Sequence, residues 1–143
     1  MIFLDANVFL RVLTSSDDPR VQQSSVRAQG LLLRVERDEV AATTSDAVLA
    51  EVAFILTSPR HYRLSVADAA AMLATIVSLR GFKMRQKQTV LRGLDMWAAN
   101  PRIGFVDTLT AAYAQNPDMS LATFDADFDR FPGIIPWAFD ESV

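Results

Sequence analysis

The sequence predicts an α/β domain, with a short, mainly parallel sheet covered on both faces by helices. Three observations predict it. Short apolar stretches alternate along the chain with longer stretches of helical periodicity, the pattern of strand–helix units in parallel sheets. Two of the short stretches, Met1-Ile2-Phe3-Leu4-Asp5-Ala6-Asn7 and Met119-Ser120-Leu121-Ala122-Thr123-Phe124-Asp125, each deliver an aspartate at a strand exit, where open α/β sheets collect their ligands. The 143 residues, 50% hydrophobic and 22% charged, make one globular domain spanning 1–143 with a single continuous core.

Composition narrows the chemistry. There is no cysteine, which excludes disulfides, zinc–thiolate sites and cysteine nucleophiles. The single histidine, His61, stands in the basic context Pro59-Arg60-His61-Tyr62-Arg63 and reads as a loop or helix-end residue rather than a catalytic base. A formal net charge of −3 gives no global attraction to nucleic acid, so such binding rests on a local basic patch. No apolar run approaches the ~18 residues of a membrane span, and Asp5 interrupts what would be a signal core. A soluble, cytoplasmic protein with no membrane segment is expected.

Each element has its own justification. The first strand is expected to be fully buried, since it is apolar up to Asp5. Asn7 then caps a short helix to Leu13. Asp18-Pro19 supplies an N-cap and a proline at the first helical position, and Val21, Ala28, Leu32 and Val35 carry a helix to about Glu36. Val40 to Thr44 is short and β-branched, a second buried strand. Ser45 or Asp46 caps a helix to about Thr57. Ser65 with Asp68 opens another, along the stripe Ala69, Met72, Leu73, Ile76 and Leu79, until Gly81 ends it. Gly81 to Met84 is a short strand. Val90, Leu91, Leu94, Trp97 and Ala98 support a helix that stops at Asn100-Pro101. Asp107 to Gln115 is a further helix, Met119 to Phe124 a strand, and Gly133 to Trp137 a closing edge element.

Four carboxylates stand out against this frame. Glu51 lies in Ala47-Val48-Leu49-Ala50-Glu51-Val52-Ala53-Phe54-Ile55-Leu56, a helix apolar all round and so expected to be buried. An ionised carboxylate there costs several kcal/mol unless it is compensated, and Ala47, Val48, Phe54 and Ile55 on its own face offer no cation. Asp107 opens a helix after Ile103-Gly104-Phe105-Val106, where a helix cap is an equal reading. Asp5 and Asp125 stand at strand exits. Asp125, Asp127 and Asp129 do not form a calcium loop, because Arg130 replaces the required glycine and Pro136 the required glutamate. Asp127 is a candidate contributor to the site. Carboxylates gathered together raise each other's pKa unless a cation neutralises them, and oxygen-only ligands select Mg²⁺ or Mn²⁺ over zinc. Such an ion activates water and steadies a leaving oxygen, as phosphodiester hydrolysis requires.

In Phe3-Leu4-Asp5-Ala6-Asn7, Glu51 in its apolar helix, Phe105-Val106-Asp107, and Ala122-Thr123-Phe124-Asp125-Ala126-Asp127-Phe128, taken in order over the whole chain, the sequence resembles the PIN-domain ribonucleases. Among these it is similar to the VapC toxins of bacterial toxin–antitoxin pairs. The resemblance implies a compact three-layer α/β/α sandwich and a Mg²⁺-dependent endoribonuclease, held inactive by a cognate antitoxin protein and expected as a homodimer. It places Asp5, Glu51, Asp107 and Asp125 as the metal-binding and catalytic residues, with Asp5 and Asp107 as direct ligands. Asn7 and Thr123 match polar positions that hold the carboxylates in place.

Arg80, Lys83, Arg85, Lys87 and Arg92 form a basic run, and Arg60, His61 and Arg63 a second cluster; either could contact RNA phosphates or the antitoxin. Trp137 and Phe139 are candidates for the dimer interface. A haloacid-dehalogenase reading fails because Asn7-Val8-Phe9 follows Asp5, and a receiver reading fails because the last lysine is Lys87. The remaining rival is a PIN-fold module that binds RNA or a partner without catalysis.

Overall fold

The structure, a computed structural model, describes residues 1–140. Strand β1 (Ile2–Phe3) is followed by helices α1 (Ala6–Leu13) and α2 (Pro19–Glu36), strand β2 (Ala42–Thr43), and helices α3 (Asp46–Thr57), α4 (Val66–Val77), α5 (Lys87–Ala99) and α6 (Phe105–Ala114). A 3-10 turn, Ala126–Arg130, lies near the end. Three helix starts follow the predicted caps, whereas α1 begins after Asp5 rather than Asn7 and α6 after Gly104 rather than Asp107. Asp18, Ser45 and Ser65 accept from the backbone N–H groups of Arg20, Val48 and Asp68 at 2.9, 3.2 and 3.1 Å, each worth about 1 kcal/mol.

β1 and β2 pair in parallel, Ile2 opposite Ala42 and Phe3 opposite Thr43, and Phe82 bridges Ala42 in the same sense. The expected third strand, Gly81 to Met84, is thus reduced to one bridge. Its position is set by a close approach: the Gly81 N–H donates to Val35 O at 2.9 Å and its carbonyl accepts from Ala42 N at 2.9 Å. A Cβ at Gly81 would lie 2.5 Å from Val35 O and 2.6 Å from Val40 O, so only glycine lets the chain pass between the end of α2 and β2. To reach this passage the chain leaves α4 at Val77, with the Ser78 N–H closing on Ala74 O, earlier than the predicted end at Gly81.

The fold is the predicted three-layer α/β/α arrangement, rich in helix with a short parallel sheet between the layers. Its core gathers Leu4 and Phe9, then Leu49, Val52 and Leu56 of α3, Leu73 and Val77 of α4, and Phe82, Val90 and Leu94, all essentially inaccessible to water. Burial of each such side chain contributes roughly 1.5–3 kcal/mol. A smaller cluster, Ile103, Ala111 and Phe131 with Met96, Phe128 and Ile134, holds the C-terminal segment against α5 and α6.

Two expectations about strands are corrected. β1 is not fully buried: Ile2 is 40% and Phe3 60% exposed, and only Leu4 enters the core. The predicted strand Met119 to Phe124 contributes a single parallel bridge, Leu121 to Pro136, and does not lie along β1. The reason is hydrogen bonding. β1 uses Ile2 N and Leu4 N toward Ala41 O and Thr43 O, while the Phe3 N–H and C=O point away from β2 and find no partner among the described residues. An edge paired on one side leaves its outer N–H and C=O groups unpaired.

Gly81→Ala is expected to lower stability by about 2 kcal/mol or more, as overpacking against backbone does. A urea midpoint unchanged from the parent would show that the passage beneath α2 is looser than described.

Candidate active site

Asp5 follows Leu4, the residue most firmly tied to β2. The Leu4 N–H donates to Thr43 O at 2.8 Å, and its carbonyl accepts the hydroxyl of the buried Thr44 at 2.8 Å. Asp5 therefore emerges beside Ser45, the cap of α3. It is the N-cap residue of α1, yet its side chain makes no capping hydrogen bond. An aspartate there ordinarily turns its carboxylate onto the helix N–H groups; this one is exposed and uncommitted.

Glu51 is corrected. The helix that reads as apolar all round, α3, buries Leu49, Val52, Ala53 and Leu56 but leaves Ala47, Glu51 and Phe54 in solvent. Glu51 is exposed and pays no burial penalty, so its lack of a cation needs no compensation. Sequence reasoning went astray because alanines and one phenylalanine on the outer face imitate a buried surface.

Asp107 lies in the first turn of α6, whose N-cap is Gly104 rather than Asp107. A carboxylate in a first turn is favoured by the helix dipole. α6 runs antiparallel to α3: Tyr113 near its C-terminal end meets Asp46 at the start of α3, while Val106 and Asp107 share a cavity with Phe54 and Thr57. Asp107 thus stands beside Ala50, Phe54 and Thr57 of α3, whereas Asp5 stands near its start.

Asp125 exits the Leu121 segment in solvent, and Phe124 beside it is 91% exposed. Local bonds shape this exit: Asp125 N donates to the Thr123 hydroxyl at 3.1 Å, and Asp127 N donates to the Asp125 carboxylate at 2.9 Å. Thr123 and Asp127 therefore steady Asp125 through backbone groups. Asn7 is exposed in the first turn of α1, and its amide has no hydrogen-bond partner among the described residues.

Among the described residues no three acidic or histidine side chains stand close enough to hold a metal ion. The donor set itself suits a hard divalent cation: oxygen ligands, no thiolate, and carboxylates at Asp5, Glu51 and Asp107 with no lysine, arginine or hydrogen-bond donor engaged.

Of the basic run, Lys83 donates to Arg80 O at 2.9 Å, and Lys87 donates to Phe82 O at 2.9 Å and Leu79 O at 3.2 Å. Desolvation, then the neighbouring Lys83 charge, lowers the Lys87 pKa. Arg92 ties α5 to α6 through Ala112 O and Gln115 at 2.8 and 3.2 Å. These three cations have structural partners. Arg80 and Arg85 are exposed and have none among the described residues.

One pair escaped sequence reasoning. The Tyr113 hydroxyl donates to Asp46 Oδ2 at 2.8 Å. Burial first, then this bond and the Asp46 charge, push the phenol from 10.0 to about 12. The spacing of 67 residues left no signal in the sequence. Because the folded pKa is raised, the stabilisation is complete below about pH 10 and is lost as pH rises toward 12. Tyr113→Phe is expected to cost about 1 kcal/mol near neutrality and to remove that alkaline decline. Urea midpoints measured against pH for both proteins check this; parallel curves would refute it.

No helix of the described residues is long and apolar enough to cross a membrane. No curated protein matches the chain. The PIN domain family matches residues 2–134, a span that includes Asp5, Glu51, Asp107 and Asp125. The chain therefore belongs to the PIN-domain family, whose fold is a nuclease fold.

Proposed function

We propose that the chain is a divalent-metal-dependent endoribonuclease, using Mg²⁺ or Mn²⁺, and that it acts as the toxin of a toxin–antitoxin pair. One observation carries the reading: the span matched by the PIN family contains Asp5, Glu51, Asp107 and Asp125, and Asp5 holds the N-cap position of α1 without capping it. Asp5, Glu51, Asp107 and Asp125 would hold the cation. When bound, the cation lowers the pKa of a water and neutralises charge on the phosphate. The chain's own part would be to supply carboxylates from β1, α3, α6 and the Leu121 segment to one substrate phosphate, with Thr123 and Asp127 orienting Asp125 and Asn7 near Asp5 in sequence. RNA phosphates, an antitoxin protein and a second copy of the chain are the proposed partners.

A second reading is favoured by a specific observation. Because no three acidic side chains stand close enough to hold a metal ion among the described residues, a PIN-fold module that binds RNA or a partner without cutting it is the alternative.

A structured-RNA panel incubated with Mg²⁺, Mn²⁺ or EDTA separates the two. Metal-dependent fragments are expected, and Asp107→Asn is expected to slow their formation at least about 100-fold, since several kcal/mol of metal-derived stabilisation is at stake. RNA left intact by the folded parent protein, with and without either metal, would favour the binder.

The basic run divides into two predicted classes. Replacing Arg80 and Arg85 together by alanine is expected to reduce the salt dependence of RNA binding by about two ion equivalents. Lys87→Ala is instead expected to lower thermal stability, because Phe82 O loses its donor and Leu79 O loses one of its two. Equal behaviour of both variants in both assays would contradict this division.

A further inference from the structure

Phe54 lies three residues after Glu51, so the two share one face of α3, and Phe54 is 67% exposed. Across from it, Val106, adjacent to Asp107, is 60% exposed. Between them opens a cavity of about 340 Å³, lined by Phe54, Val106 and Asp107 together with Trp97, Arg102 and Gly104. Trp97 is buried and makes an edge contact with Phe105, their rings 5.2 Å apart at 60°, so the inner wall is rigid and aromatic. Arg102 is exposed and has no partner among the described residues. Gly104 leaves open space where a side chain would stand.

A single exposed apolar residue is ordinary on a protein surface. Here two large ones from different helices frame one cavity, with an uncommitted carboxylate and a free guanidinium at its mouth. The volume is at the lower end of small-ligand clefts, roughly 300–1,000 Å³. A flat apolar face with a neighbouring cation and the Asp107 carboxylate suits a nucleotide: the base stacks on the ring, the guanidinium takes its phosphate, and the strand continues past Asp107. A docking protein would be expected to cover a broader apolar patch with fewer charges in it.

We infer that the cavity between α3 and the start of α6 is a nucleobase subsite for single-stranded RNA, in which Phe54 stacks on the base and Arg102 holds its phosphate. This rests on RNA being the substrate, and it adds where on the protein the strand is read.

The test is binding of a dye-labelled single-stranded RNA oligonucleotide by fluorescence anisotropy, in EDTA and in Mg²⁺, with RNA length checked on a gel. Phe54→Ala is expected to weaken binding about 5- to 150-fold, the range for losing one stacked base. Phe54→Trp is expected to bind within about threefold of the parent, its indole emission being quenched by the base. Arg102→Ala is expected to reduce the salt slope by about one. Since Phe54 is on the surface, both Phe54 variants should melt with the parent, and the tryptophan variant supplies a readout if the alanine one does not.

The subsite is overturned if Phe54→Ala binds as tightly as the parent, or if the parent binds no single-stranded RNA. It is also overturned if Phe54→Ala changes only the mass measured by light scattering, which would make this face an interface between copies. The two readings fail separately. Phe54-dependent binding of RNA that stays intact in Mg²⁺ keeps the subsite and sinks the nuclease. Metal-dependent cleavage with Phe54→Ala unchanged in affinity and KM keeps the nuclease and sinks the subsite.

Discussion

The hold of β2 on Leu4 is the constraint from which the rest of the site is measured. Both backbone groups of Leu4 are engaged, one by the Thr43 carbonyl and one by the buried Thr44 hydroxyl. Thr44 has little choice of partner, since a buried hydroxyl left unpaired costs about 1–3 kcal/mol. That pairing sets where Asp5 leaves the sheet and, one residue past Thr44, where Ser45 starts α3. Glu51 and Phe54 inherit their positions from that start through helix geometry alone. One strand register thus places an acid, a second acid and an exposed ring relative to one another.

The polar groups sort by whether they are occupied. Asp46 has Tyr113, Arg92 has two acceptors on α6, and Lys87 holds the carbonyls of the chain between α4 and α5. These bonds join elements and hold packing. Asp5, Glu51, Asp107 and Arg102 join nothing among the described residues. For Asp5 the contrast is sharpest, because it occupies an N-cap position and does not cap. Asp5 thus forgoes an available local bond, and all four lie along or around α3.

The C-terminal part of the chain is organised separately. Phe131 and its neighbours anchor it on α5 and α6, Leu121 pairs with Pro136, and Phe124 stacks on Phe139 with ring centroids 4.5 Å apart. Trp137 and Phe139 are exposed, as their sequence positions suggested. The sheet is consequently divided between the Phe82–β2–β1 group and the Leu121–Pro136 pair. Asp125 follows the second group, and Asp5 follows the first.

Local chemistry was enough to read the helices, the caps at Asp18, Ser45 and Ser65, and the α/β class. These depend on short-range rules: apolar spacing, side-chain acceptors three residues ahead of an N–H, and aspartate after an apolar strand. Tertiary structure decided what those rules do not reach. It exposed Glu51, because burial depends on which face of α3 meets the core rather than on how apolar the helix is. It moved Asp107 from cap to first turn, joined Tyr113 to Asp46, and left β1 paired on one side. Each of these is set by packing between elements far apart in the chain, where residue spacing carries no information about distance.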